Sequence, residues 1–431
     1  MHDLILRYFL FAINFEVIEL FFTDKVDTRS IKEINYSLIL RHIKINGPIS
    51  RIELANKTGL NPSTISRAIK TLQNLNLVTE LSIGESQGGR RPMLLGLDNT
   101  KYHIVGIDIG ATKITTVIVD LKGRIKEDYQ YKIQSTNNGI INLSLEEVYK
   151  CISKVINKFD NNFKDKKIIG IGVGLHGMVN KEEGKSIFAP NFGWRDIEIV
   201  KLIEEKFELK TIVDNDVRAM SLGEYWFGAA QNIHDFITLN IGYGIGSGIM
   251  IGGRLYRGSH SMAGEVGHTT VDEDGPYCNC GNYGCLEVLA SGPAIAKEAR
   301  KLVKRGRKSI IPKLVNGDLD QISGELVFKA AEKGDLLAQQ VFQSAGSYLG
   351  IGIANMVNII DPELLILGGG VSNAEEYLIA NLKDILKHKV LGELPDIKTA
   401  KLADNAGAIG ASVLIMEEIF YKPHSFMNNI N

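Results

Sequence analysis

Residues Tyr102–Ile125 read YHIVGIDIGATKITTVIVDLKGRI. Two runs rich in Ile, Val and Thr flank the turn Gly110-Ala111-Thr112-Lys113, so the pattern predicts a buried strand, a tight turn and a second strand. In a D-x-G-x-T-K hairpin of this kind, backbone N–H groups of the turn hold a phosphate while Asp108 handles its metal. The theme recurs in ITLNIGYGIGSGIMIGGRLYRG, residues 237–258, whose turn carries Gly242 and Gly244. It recurs again in DPELLILGGGVS, residues 361–372, where a strand runs into Gly368-Gly369-Gly370 and a nucleoside can approach the backbone. Three separated glycine turns at strand ends imply two similar lobes facing a cleft. They do not by themselves say that ATP binds.

The bulk numbers set the frame. The chain has 431 residues, which suits two or three domains. Hydrophobic content of 44% and charged content of 23% are those of a protein with large cores. A net charge of −1 excludes a polycation, so any nucleic-acid binding must come from a local patch. The first 22 residues are apolar but interrupted by Asp3, Arg7, Glu16 and Glu19, too broken for a membrane span. They lack the basic start and small-residue cleavage site of a signal peptide. Residues 1–29 are expected to be a poorly ordered leader or a partner-binding helix.

From Ile31 the apolar spacing turns helical, and Gly47-Pro48 ends the first helix. Ser50 caps SRIELANKTG, and Asn61-Pro62-Ser63 opens a third helix with Pro62 in its first turn, where the missing N–H costs nothing. Ala55, Gly59 and Ile65 then serve close approach, turn and inward packing, the pattern of a helix-turn-helix. Leu77–Leu97 alternates as two strands around a wing tipped by Arg90 and Arg91. Residues 31–91 hold nine Lys and Arg against four Glu, a surplus of five positive charges. The face Ser63, Thr64, Ser66, Arg67 and Lys70 suits base edges and phosphates, and residues 30–99 are expected to bind operator DNA.

Three of the four cysteines gather in GEVGHTTVDEDGPYCNCGNYGCLE, residues 264–287. His268, Cys278, Cys280 and Cys285 form H-x9-C-x-C-x4-C, four soft ligands that fill a tetrahedral zinc and leave no open position. Such a site is structural, and its compartment is reducing. Cys151 is expected to be a plain core residue.

DIGATK, DNDVRA and ILGGGV, with the cysteine-rich stretch as the most specific element, resemble the ROK family of repressors, open reading frames and sugar kinases over about residues 100–420. The head in front resembles its repressor branch, xylose-type repressors most. The resemblance implies α/β architecture: a winged helix-turn-helix, then a two-lobed actin-like (RNase H-like, sugar-kinase) ATPase fold. The lobes are expected at 100–213 and 214–404, with a helix at 405–420 returning to the first. It further implies that Glu265, His268 and Glu287 bind sugar hydroxyls, that Asn191, Asn215 and Asp216 complete that pocket, and that Asp216 is the proton acceptor in a kinase. An imidazole has two nitrogens, so His268 can serve zinc and sugar together. Asp108, Gly110, Thr112, Lys113, Gly242, Gly244 and Gly369 match its nucleotide positions.

Two departures bear on activity. Tyr243 stands where kinases of the family usually have Thr, and His176 where a Pro is usual. The expectation is a cytoplasmic, sugar-responsive repressor that binds operator DNA as a homodimer or homotetramer, with structural zinc and no membrane partner. An ATP- and Mg-dependent sugar kinase, or a protein with both activities, is the alternative.

Overall fold

A computed structural model describes residues 28–83, 91–133 and 143–430. The head contains the helices Thr28–Asn46, Arg51–Thr58 and Pro62–Asn74, with a three-stranded sheet ordered Ile49–Ser50, Met93–Leu97, Val78–Ile83. Local chemistry explains each boundary. Ser50 Oγ accepts from the Glu53 N–H at 3.2 Å and the Glu53 carboxylate accepts from the Ser50 N–H at 2.8 Å, a reciprocal cap. Gly59, at φ 68°, ends that helix in the left-handed conformation and donates its N–H to the Ala55 carbonyl at 2.9 Å. Ile65, Ala68, Ile69 and Leu72 line the buried face of the third helix. The expected wing is present as its two strands, but its tip, with Arg90, lies outside the described residues, as does the leader through residue 27.

The body is built on two five-stranded sheets of one topology. The first runs Thr211–Asn215, Lys167–Leu175, Tyr102–Ile109, Lys113–Asp120, Ile125–Lys132. The second runs Arg254–Tyr256, Ile245–Ile251, Phe236–Ile241, Leu364–Gly368, Asp396–Thr399. In both, an antiparallel three-strand meander pairs through its first strand with two later parallel strands. This duplication is the two-lobed actin-like fold. A lobe boundary between residues 213 and 214 falls inside the strand Thr211–Asn215, which pairs along its whole length with Lys167–Leu175, so the crossover comes at the next helix, Asp216–Phe227.

Two buried helices lie between the sheets. Ala406–Tyr421 packs on the strands Tyr102–Ile109 and Lys167–Leu175, and on the helix Asp216–Phe227. Backbones nearly touch there: a Cβ at Gly106 would lie 2.0 Å from the Ala408 carbonyl oxygen, and one at Gly172 would lie 1.8 Å from that of Ala411.

The chain then returns to the head. The helix Pro423–Ile430 packs against Thr28–Asn46. The buried Glu33 carboxylate accepts from the His424 N–H at 3.2 Å, the Ser425 N–H at 2.7 Å and the Ser425 hydroxyl at 2.6 Å. A carboxylate from the head thus satisfies free amides at the start of the last helix, where the helix dipole also favours negative charge. Nearby, Lys44 places its Nζ 3.3 Å from the centroid of the Trp226 ring. Phe426 and Met427 join the buried residues Ile39, Leu40 and Ile43 of the head and Ile419 and Phe420 of the body in one apolar cluster. Glu33→Ala should therefore lower the free energy of unfolding by about 1–3 kcal/mol in urea titrations. A wild-type midpoint would show that the cap contributes nothing.

Candidate functional site

The last strand of the first sheet ends at Asn215, which caps the helix Asp216–Phe227. Asn215 Oδ1 accepts from the Val217 and Arg218 N–H groups at 3.0 and 3.2 Å, and its Nδ2 donates to the Gly177 carbonyl at 3.1 Å. Both ends of this side chain are engaged, so it fixes the helix start. Asp216 Oδ1 accepts from the Val217 N–H at 2.9 Å, and its Oδ2 lies 3.6 Å from His176 Nδ1. His176 Nε2 lies 2.9 Å from Asn191 Nδ2. Asn191, His176 and Asp216 thus form one chain of contacts. Burial alone lowers the pKa of His176, but the hydrogen bond and charge of Asp216, with Glu287 and Asp108 behind it, outweigh burial and hold it above the ordinary imidazole value.

Asp108 shares this negative field. Burial first, then the charge of Asp216, pushes its carboxyl up to about 7, against the opposing pull of Lys113 and His176. Its Oδ1 is buried without a hydrogen-bond partner. Lys113 is ion-paired with Asp404 at 2.9 Å, Gly110 closes its turn onto the Lys113 carbonyl at 3.1 Å, and Thr112 is exposed. On the opposite lobe, the Gly242 N–H donates to the Gly244 carbonyl at 2.9 Å around an exposed Tyr243. Gly369 is crowded by Asn240 and Ile241, with no room for a side chain.

His268, Cys278, Cys280 and Cys285 bring their ligand atoms within 4.8 Å of one another. Cys278 Sγ lies 3.7 Å from His268 Nδ1, and Cys280 Sγ lies 3.6 Å from Cys285 Sγ. A tetrahedral zinc with thiolates at about 2.3 Å sets its ligands about 3.8 Å apart, so this donor set fits the metal. Gly284, at φ 61°, passes so close to the Asp272 carbonyl that a Cβ would sit 1.5 Å from its oxygen. That approach lets the loop fold back on itself. Cys285 leads into the short helix Leu286–Ala290 carrying Glu287, whose Oε2 accepts from the Ile245 N–H at 3.1 Å. Glu287 therefore joins the cysteine loop to the strand leaving the Gly242–Gly244 turn. Glu265 is half-buried just before the turn Val266–His268, and burial raises its pKa above the usual carboxylate value.

On the head, Ser63, Ser66, Arg67 and Lys70 are exposed on the outer face of their helix, Thr64 is half-buried beside them, and Arg91 is exposed at the base of the wing. The basic surplus is not all on this face. Arg41 and Lys44 turn inward against the body, where burial lowers the pKa of both, that of Lys44 to about 7. Arg51 is paired with Glu80 at 3.0 Å.

Sequence reasoning missed one network. Asp214, buried beside the Asn-Asp pair, meets Arg257 at 2.7 Å and Arg218 at 3.7 Å. Arg218 also donates to the carbonyls of Ser261 and Ala263 at 2.6 and 3.1 Å. These contacts pin the loop leading into Glu265 to the start of the helix Asp216–Phe227. Asp214 sits on the strand and Arg218 on the helix that follows it, so helical spacing gave no signal for this pair, and Arg257 lies too far along the chain to read.

The ROK family model matches residues 104–418, and that of a winged helix-turn-helix DNA-binding domain matches residues 37–79. The xylose repressor of Bacillus spizizenii is 33% identical over 398 residues, covering 91% of this chain and 98% of that protein. The DNA-binding transcriptional dual regulator NagC of Escherichia coli is 29% identical, covering 89% of this chain and 93% of NagC. The crystal structure of a ROK family transcriptional regulator, a homologue of the E. coli MLC protein, superposes with a TM-score of 0.78 at 27% identity, covering 92% of this chain and 99% of that one. A ROK family glucokinase from Streptomyces griseus, in complex with glucose and AMPPNP, gives a TM-score of 0.64 at 31% identity, covering 72% of this chain and 98% of its own. The chain belongs to the ROK family and carries a winged helix-turn-helix DNA-binding head in front of its two-lobed body.

Proposed function

We propose that the protein is a sugar-responsive transcriptional repressor of carbohydrate-utilisation genes, with xylose the first sugar to test, working in the cytoplasm as a homodimer or homotetramer on a two-fold operator. One observation carries this reading: a DNA-binding head is fastened to a sugar-kinase body through a shared core, with Lys44 seated on Trp226 of the helix that begins at Asp216. In the cleft, Asn191, Asp216, Glu265, His268 and Glu287 meet the sugar's hydroxyls, and Asn215 holds Asp216 in place. Sugar changes the angle between the lobes and hence the spacing of paired heads, which changes operator affinity. Ser63, Thr64, Ser66, Arg67 and Lys70 read DNA, and Arg90 and Arg91 hold its backbone.

Zinc held by His268, Cys278, Cys280 and Cys285 orders the loop between Glu265 and Glu287 and takes no part in chemistry. Mg-ATP would meet Asp108, Lys113 and the glycine turns. A kinase reading is less well supported because Tyr243 stands in the glycine turn where kinases of the family usually have Thr.

Three outcomes test this function. With duplexes selected by the protein from a random pool, Arg67→Ala should weaken preferred sites by about 1–3 kcal/mol, while Arg91→Ala weakens every duplex alike and flattens the salt slope by about one unit. Wild-type binding by both variants would remove this face as the reader. Cys280→Ser should keep operator binding but lose the sugar response, together with zinc by elemental analysis and some thermal stability. A folded, zinc-free variant that still responds normally would separate metal from sensing. Finally, incubation with Mg-ATP and a panel of sugars should give negligible phosphorylation, whereas robust turnover abolished by Asp216→Asn would establish the kinase instead.

A further inference from the structure

His176 lies at the end of the strand Lys167–Leu175, with its backbone N–H donated to the Ile109 carbonyl at 3.1 Å. It is held from both sides. Nδ1 faces Asp216 Oδ2 at 3.6 Å, Nε2 faces Asn191 Nδ2 at 2.9 Å, and the ring meets that of Phe192 edge-on at 6.3 Å. With Asn191 Nδ2 as the donor, Nε2 accepts and the neutral ring carries its hydrogen on Nδ1, toward the carboxylate. About a quarter of the side chain (26%) stays open to solvent. The imidazole therefore presents to Asp216 what a sugar hydroxyl would present there, an X–H donor in a fixed place.

The consequence rests on the reading that Asp216 belongs to the sugar pocket. In an aldohexose the least hindered hydroxyl is the primary one, carried beyond the ring on an exocyclic carbon. A carboxylate that serves as base for phosphoryl transfer to that hydroxyl must receive that group. D-xylose and D-glucose share one ring configuration and differ only in that hydroxymethyl group. We propose that His176 selects an aldopentose over the matching aldohexose, because its ring fills the place beside Asp216 that the exocyclic group would need. A pentose leaves the Asn191–His176–Asp216 chain intact. A hexose must displace the ring: its exocyclic hydroxyl can take over the donation to Asp216, but Asn191 loses its partner and the packing of the ring against Phe192 is lost.

The test is calorimetric titration of the full chain with D-xylose and with D-glucose. The wild type should bind xylose at least about ten-fold more tightly than glucose, the range expected for one excluded carbon. His176→Ala, which opens the space, should cut that ratio by about ten-fold through a gain in glucose affinity. His176→Gln can donate to Asp216 and accept from Asn191, and should keep the preference for xylose, showing that size and hydrogen bonding at this position decide. A His176→Ala protein that loses both affinities equally, with the ratio unchanged, reduces His176 to a structural residue and overturns the proposal. A wild type that binds both sugars alike overturns the selection while sparing the sensor reading. An operator-binding wild type that takes up no pentose or hexose overturns the sensor reading itself.

Discussion

The body depends on how closely one late helix can approach the backbone of the first sheet and of the helix Asp216–Phe227. Ala406–Tyr421 is buried along nearly its whole length, and its small residues face strands and a helix that are themselves glycine at the contacts. At Gly410 a Cβ would come 1.8 Å from the Ala219 carbonyl oxygen, just as Gly106 and Gly172 leave no room beneath Ala408 and Ala411. Methyl groups here would force backbones apart, a cost of about 1–3 kcal/mol for ordinary overpacking and more where the partner is rigid backbone. The distance between the lobes is thus set by backbone contact. Everything that must converge in the cleft, from Asp108 and Asp216 on one lobe to Glu287 on the other, inherits that spacing.

The helix Asp216–Phe227 is the second element of this sandwich, and its two ends do different work. Twelve residues span about 18 Å. At the start, Asn215 caps it while Arg218 pins the loop before Glu265. At the far end, Glu224 accepts from the Ala229 and Leu402 N–H groups at 2.7 and 2.9 Å, and Trp226 lies under Lys44. A cavity of about 480 Å³ remains beside that last contact, lined by Lys44, Leu81, Tyr225, Trp226 and Phe227 among others. The rod is thus held at both ends, by the cleft loop at its start and by the core shared with the head at its end.

Much of this was legible because it is local. Ser50 and Glu53 announce a cap, Gly59 a left-handed turn, and Pro62 a helix start, each within a few residues of the group it satisfies. The cysteine cluster was legible for the same reason: its three thiols fall within eight residues and its histidine ten before the first. The three glycine turns gave two lobes, since a strand, a turn and a strand leave a short-range trace. What could not be read was every contact made across the chain. Glu33 and Ser425 are separated by 392 residues, and nothing near either names the other. Lys44 adds to the basic surplus of residues 31–91, yet the fold turns it toward Trp226.

His176 shows the harder limit. Its identity was visible, and so was its difference from the proline that the resemblance leads one to expect. Its effect was not, because that effect depends on which groups stand 3 to 4 Å away once the strand Lys167–Leu175 lies between Tyr102–Ile109 and Thr211–Asn215. Strand register decides it: Leu175 pairs with Ile109 on one side and Asn215 on the other, so the next residue is delivered between Asp108 and Asp216. A proline there would place no titratable group in that gap. A histidine there faces Asp216 at 3.6 Å, and the charges of Asp216, Glu287 and Asp108 raise its pKa. The residue that follows one strand thus changes what faces both carboxylates.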